Sequence, residues 1–325
     1  MDQKYQEYLG RIHAGSFVND KLIDEVVLGA VGKVPQSKTK LVVGEINEVY
    51  RLDMGGDKNI ILRIAQRDDG EFKNESWAVD QARAVGVPVP TIIDIVEVQI
   101  EEGKASFCVM EEIVGEALER GNLYFHDLSL QEQQDLLVKS GQILSRIHSV
   151  LTRGFGPFLE PGESEYLDSE SIVIEYLDKQ EQLSLIADAI GLGRNYIEKS
   201  IILLDNNKIE LCNFEPRLNH GDFGPKHIMV QGFEIVGIID WGLARSDSPL
   251  SDLANWDYWF DDYQLKWLLK GYENKLLLDD TFEVKIYLYR IMKGLDVIEW
   301  YYQQGYEKAV EIAVTKLIRD VGYFD

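Results

Sequence analysis

Two short segments hold the side chains best suited to chemistry: His220–His227, reading HGDFGPKH, and Asp240-Trp241-Gly242. Asp222 stands five residues before His227, a candidate metal ligand, and Asp240 closes the apolar run Ile235–Ile239. One carboxylate facing an acceptor hydroxyl, with two ligands for magnesium beside it, is what phosphoryl transfer requires. The γ-phosphoryl passes through a loose transition state, so positioning and charge neutralisation count for more than a strong nucleophile. In that scheme Asp222 accepts a hydrogen bond from the hydroxyl and takes its proton late. His227 and Asp240 hold Mg2+ against the nucleotide phosphates. Magnesium prefers oxygen, which makes the imidazole a softer choice than an Asn amide.

The surrounding elements must bring these segments together. Ile228–Val230, the turn Gln231-Gly232 and Ile235–Ile239 read as a hairpin that does so. A buried turn, in which His220 and Asp222 only satisfy backbone groups, is the alternative. The Gly/Pro-rich loop between apolar runs and the placement of Asp240 favour catalysis. Upstream, LVVGEINEVYRL and IILRIAQ are β-rich runs flanking a Gly-Gly-Asp turn. FKNESWAVDQARAVGVPVP has helical spacing that Pro88 and Pro90 stop. TIIDIVEVQI and ASFCVMEE follow as strands joined by Glu101–Lys104, and Tyr5–Val31 reads as an initial helical stretch. A helix is expected where Leu130, Leu136, Leu137, Ile143, Leu144 and Ile147 share one face. GFGPFLEPGESE reads as a loop, Ser169–Ile186 and Asn195–Asp205 as helical runs, and EVKIYLYRIMKG onwards as two closing helices.

The ordered motifs resemble the aminoglycoside phosphotransferase family of small-molecule kinases, whose usual forms are HGDxxxxH/N and DWG. Gly221, His227 and Trp241 stand where the protein-kinase pattern H-R-D-x-x-x-x-N…D-F-G has Arg, Asn and Phe. The resemblance runs roughly from Gly44 to Ala254. It implies an α+β, two-lobed protein-kinase-like fold. Residues 1–112 would be an antiparallel-sheet N-terminal nucleotide lobe, and residues 113–325 a mostly helical C-terminal lobe with the catalytic loop and acceptor region. It also implies roles. Gly44 and Asn47 fit a G-x-x-N phosphate loop. Arg63 takes the place of the strand lysine, with Lys58 as backup. Glu75 is the partner of Arg63, with Glu71 as competitor one turn earlier. Met110, Glu111 and Ile113 form the hinge, where adenine bonds to backbone groups. His148, His220 and Asp252 serve as braces rather than reactants, Asp252 through a D-P-x-x-D-L-A element whose first position is Ser248 here.

The net charge of −23 argues against nucleic acid or an anionic membrane as partner and suits a cationic acceptor. After the DWG motif, Trp256, Asp257, Trp259, Asp261 and Asp262 mix carboxylates with aromatic faces. That mixture suits an amine-bearing sugar through salt links and cation–π contact, and a solvated acidic face with inward-packed rings fits it equally. Glu299 and Trp300 are further candidates for the acceptor pocket. Cys108 and Cys212 give neither a disulfide framework nor metal spacing. No signal peptide and no membrane-length run is read, so the cytoplasm is the expected setting. The expectation is an ATP- or GTP-dependent, Mg2+-requiring phosphotransferase acting on a small-molecule hydroxyl, with an aminoglycoside as leading acceptor. Macrolides, hygromycin-like compounds, choline, homoserine and sugars are alternatives. A catalytically silent nucleotide-binding regulator is the rival of another class, resting on the glycine-poor phosphate loop.

Overall fold

The structure is a computed structural model that describes residues 3–15, 18–56, 59–65, 71–101, 103–119, 125–260 and 263–325. Two helices come first, α1 (Gln3–Ile12) and α2 (Asp20–Val31), the second capped by the Asn19 side chain. The expected single stretch is thus broken, and α1 lies against the far end of the chain, with Tyr8 stacked on Tyr306 at 4.8 Å. Then follow β1 (Ser37–Leu41), β2 (Glu48–Asp53), β3 (Ile60–Ala65), α3 (Glu71–Ala84), β4 (Ile92–Ile100) and β5 (Gly103–Glu111). These strands form one antiparallel sheet in the order β1-β2-β3-β5-β4.

Alternation along β3 decides what each face does. Ile60, Leu62 and Ile64 point into a core with Ile23, Val26 and Val27 of α2 and with Phe107 and Val109 of β5. Arg63, offset by one residue, therefore faces the opposite side, where α3 packs and the rest of the chain begins.

The helical lobe contains β6 (Glu116–Ala117), α4 (Leu130–Ile147), β7 (Phe155–Glu160), β8 (Glu163–Tyr166), α5 (Glu170–Asp178), α6 (Gln180–Ala189), α7 (Arg194–Asn206) and α8 (Lys208–Cys212). It continues with β9 (Arg217–Asn219), β10 (Ile228–Gln231), β11 (Glu234–Ile238), β12 (Arg245–Asp247), α9 (Pro249–Trp259), α10 (Leu265–Gly271), α11 (Phe282–Gln304) and α12 (Glu307–Gly322). Its core is large and aromatic, with Phe223, Trp241, Trp256 and Tyr258 fully buried. Among the described residues no helix is long and apolar enough to cross a membrane.

Three local expectations change. The GFGPFLEPGESE segment is the hairpin β7–β8, and β7 pairs with β12. Its phenylalanines fit strand pairing, with Phe158 buried edge-on against Trp77. The run Ser169–Ile186 divides at Lys179, which flattens to ψ 0° while its ammonium reaches Glu175 (2.7 Å) and Glu299 (3.6 Å). Leu130 is 65% exposed, because α4 begins there behind a Ser129–Glu132 capping box and its first turn overhangs the core.

Helices α4 and α10 approach backbone to backbone through two glycines. A Cβ on Gly141 would lie 1.9 Å from the Leu268 carbonyl oxygen, and one on Gly271 would lie 1.9 Å from that of Val138. Gly141→Ala is therefore expected to destabilise by about 1–3 kcal/mol. Gly29→Ala, in open space on α2, should instead stabilise by about 0.4–1 kcal/mol. Urea midpoints at unchanged m-value check both signs.

Candidate active site

The HGD segment is held by one buried carboxylate. Asp252, in the first turn of α9, accepts from the amides of His220 (2.8 Å) and Gly221 (2.9 Å) and from the His148 ring (3.1 Å). His148 reaches Tyr272 through its other nitrogen at 2.8 Å. Burial works to raise the pKa of Asp252, yet His148 and the donated amides hold it below the ordinary carboxylate range. Gly221 must be glycine: its φ is +82°, and a Cβ would sit 1.9 Å from the Leu243 carbonyl oxygen. That close approach explains why no arginine stands here. His220 is fully buried and bonds the Ile239 carbonyl (3.1 Å), which ties the HGD segment to the strand leading to Asp240.

The hairpin β10–β11 then joins the two motifs. The Ile239 amide donates to the His227 carbonyl (3.0 Å), and the Ile238 amide donates to the Pro88 carbonyl (2.8 Å) of the GVPVP turn. Asp240 follows with φ +66°, in the left-handed region that a non-glycine residue seldom adopts. Aspartate tolerates that region better than most side chains, and strain of this kind gathers at working sites.

Side-chain geometry completes the cluster. The His227 Nδ1 lies 2.9 Å from the Asp222 carbonyl oxygen, which can only accept, so the proton sits on Nδ1. The Nε2 of a neutral ring then presents a lone pair to Asp240 Oδ2 at 3.2 Å. Two acceptors that face each other at this distance need a cation or a ring proton between them. The pair could share a divalent cation, the carboxylate as a hard oxygen ligand of the kind magnesium takes and the imidazole as a softer one. Among the described residues no group of three or more His, Cys, Asp or Glu side chains could hold a metal unaided, so phosphate and water oxygens must complete the shell.

Asp240 also receives Arg63 Nη2 at 3.4 Å, while Arg63 Nη1 pairs with the buried Glu75. Glu71 lies 4.0 Å from Arg63 and accepts instead from Asn47 Nδ2 (3.0 Å), which anchors the Val42–Asn47 loop. Burial alone would raise the pKa of Asp240, but His227 and Arg63 hold it far below the carboxylate range. Asp222 is likewise kept low against burial, by Lys226 and His227.

Met110 is buried under the sheet, and the amides of Glu111 and Glu112 go to Thr91 and Asn59. Ile113 packs on Gly237, where a Cβ would meet its Cδ1 at 2.2 Å. Gly44 sits at φ +73° in open space. Lys58 lies outside the described residues.

Two described residues of the acceptor wall expected after the DWG motif, Trp256 and Asp257, are engaged elsewhere. Trp256 is fully buried and donates from Nε1 to the Tyr263 carbonyl, because α9 turns that face into the core. Asp257 is taken up by Arg290, which also binds Asp320. Asp261 and Asp262 lie outside the described residues. Glu299 bonds Gln182 (2.6 Å) and lies 3.6 Å from Lys179, and Trp300 donates to Glu45 (3.2 Å). Two lysines were not singled out in the sequence. Lys226 lies 2.8 Å from Asp222 Oδ2, and its i,i+4 spacing was the signal. Lys293 of α11 has its pKa lowered by burial while Asp222 opposes the shift, and no local sequence signal marked it.

A sheet lobe and a helical lobe with this carboxylate–imidazole–carboxylate arrangement define a protein-kinase-like phosphotransferase fold. The model of the phosphotransferase enzyme family (APH) matches residues 39–282, and the chain belongs to that family. A thermostable mutant of the aminoglycoside phosphotransferase APH(4)-Ia in apo form superposes with a TM-score of 0.75 at 20% identity, covering 92% of this chain and 98% of that one. The same enzyme in ternary complex with AMP-PNP and hygromycin B gives 0.75 at 20% identity, with 92% and 97% coverage. The gentamicin complex of APH(2")-IIa gives 0.64 at 17% identity, with 94% and 97% coverage. No curated protein sequence matches the chain.

Asp252→Ala would leave the buried His220 amide, the part-buried Gly221 amide and His148 without their acceptor. It is expected to cost on the order of 3–5 kcal/mol in urea unfolding.

Proposed function

We propose that the chain transfers the γ-phosphoryl of ATP or GTP to a hydroxyl of a small molecule, with an aminoglycoside-type aminocyclitol as the leading acceptor class. The observation that carries the reading is the gathering of Asp222, His227 and Asp240 at the lobe junction opposite Arg63. Membership of the phosphotransferase enzyme family supports the reaction class. Hygromycin B and gentamicin in the complexes of the similar structures support the acceptor class, as does the net charge of −23. A cytoplasmic setting, where nucleoside triphosphate is at hand, belongs to the same reading.

In this mechanism Asp222, ionised and acceptor-only, orients the acceptor O–H. It takes the proton as the oxygen bonds to the γ-phosphorus and the bond to the β–γ bridging oxygen breaks, leaving nucleoside diphosphate. Arg63, fixed by Glu75, grips phosphate oxygens with its planar fork. His227 and Asp240 would hold magnesium, which would supply charge neutralisation for the phosphates. The nucleotide base would lie against the Met110–Ile113 segment and bond backbone groups there other than the Glu111 and Glu112 amides, which Thr91 and Asn59 hold. Lys226 shields Asp222 until substrate arrives.

Asp222→Asn is expected to lower kcat by roughly 10²–10⁴-fold with the nucleotide Kd nearly unchanged. Unchanged turnover would remove Asp222 as base. Asp240→Ala should lose the magnesium dependence of nucleotide affinity in calorimetry, and retained dependence would contradict its role. A product-release screen with ATP and GTP against aminoglycosides, macrolides, choline and homoserine tests the acceptor class. Nucleotide binding with no turnover on any acceptor would favour the silent regulator.

A further inference from the structure

Glu45 carries the wrong sign for the place it occupies. It lies in the Val42–Asn47 loop between β1 and β2, which the proposed function sets over the nucleotide phosphates. A carboxylate free to turn inward there would meet a triphosphate of like charge and repel it. The structure turns the carboxylate away. Oε1 accepts from the hydroxyls of Tyr5 (3.0 Å) on α1 and Tyr301 (2.9 Å) on α11. Oε2 accepts from Trp300 Nε1 at 3.2 Å, also on α11. All three donors are neutral, and among the described residues no cationic side chain pairs with Glu45. Burial and the neighbouring Glu45 push the Tyr301 phenol up, so it remains a donor throughout the ordinary pH range.

Other contacts fix the donors. Tyr8 stacks on Tyr306 with rings 8° apart, and Arg11 Nη2 donates to the Gln304 carbonyl at 3.1 Å, which clamps α1 to the end of α11. His13, just past α1, bonds the Gly44 carbonyl at 3.0 Å and holds the loop from its other side. The loop of one lobe is thus tied to a helix of the other through a single side chain.

We propose that Tyr5, Trp300 and Tyr301 form a cross-lobe receptor that sequesters the Glu45 carboxylate away from the nucleotide phosphates and so sets the position of the phosphate loop. The proposal rests on the reading that this loop covers the nucleotide. Glu45 and its three donors are positioning residues, and their effect has a sign. Removing donors weakens nucleotide binding only while position 45 is negative, because the released carboxylate then competes for the space of the phosphates.

The test is calorimetric binding of Mg·ATP and Mg·GTP to the full chain. Tyr301→Phe and Trp300→Phe, alone and together, are compared in the natural chain and in Glu45→Gln. The double donor variant is expected to weaken Kd about tenfold with Glu45 present, equivalent to about 1.4 kcal/mol. With Gln at position 45 the same substitutions should change Kd by less than about twofold, within the usual limits of additivity. Equal weakening in both backgrounds would mean a general disturbance of α11 and would overturn the proposal. Unchanged Kd in every variant would also overturn it, as would a change confined to the acceptor KM, which would place Glu45 in the acceptor site. Failure of the natural chain to bind either nucleotide would sink the reading of the loop, and this proposal with it. Nucleotide binding without turnover would leave the proposal standing and the transferase reading in question.

Discussion

One buried carboxylate organises the reactive end of this molecule. Asp252 takes two backbone amides and an imidazole, of which the His220 amide and the His148 ring are buried. A buried polar group without a partner costs far more than a satisfied one returns, so the arrangement acts as a constraint rather than a net source of stability. The constraint fixes two successive amides, at His220 and Gly221, and therefore the direction in which Asp222 leaves the chain. It also links α4, through His148, and α10, through Tyr272, to the N-terminus of α9. That helix end favours negative charge, which eases the cost of burying Asp252 there. Catalytic loop and helical core are thus one mechanical unit.

The second unit is the row of charge from Glu75 through Arg63 to Asp240, with the His227 ring beside its end. Arg63 lies between two carboxylates, and the row crosses from the sheet lobe to the helical lobe. Glu75 is pushed up by burial and drawn down by Arg63, so its charge depends on that partner. Arg63 cannot leave Glu75 without stranding a buried carboxylate, and it is fixed at one end while its other nitrogen meets Asp240. A preorganised guanidinium of this kind costs little reorganisation when phosphate oxygens arrive.

Much of this was legible because motif spacing and chain geometry state the same facts. The apolar runs on either side of Gln231-Gly232 are a hairpin, so His227 and Asp240 had to meet across it. The sheet lobe was legible from alternation, and α11 and α12 from helical period. What failed were decisions between two surfaces. The residues of α9 offer rings and carboxylates together, and sequence cannot say which side faces in. Trp256 went to the core and Asp257 to Arg290, a partner 33 residues away. Lys293 and Glu45 escaped for the same reason: each acts on residues distant in sequence, through contacts that only the closed fold creates. The Ser169–Ile186 run misled differently, since its break at Lys179 is a tertiary choice that helix propensity does not record.

Charge at two scales points in opposite directions. The whole chain carries −23, a field that draws cations and slows the approach of a free nucleotide. Around Asp222 and Asp240 cations are concentrated, because Arg63, Lys226 and Lys293 act on these carboxylates. A donor nucleotide with its charge partly neutralised by magnesium is suited to crossing the first field and being gripped by the second. A cationic acceptor meets the reverse: attraction at long range, then ammonium groups close to Asp222.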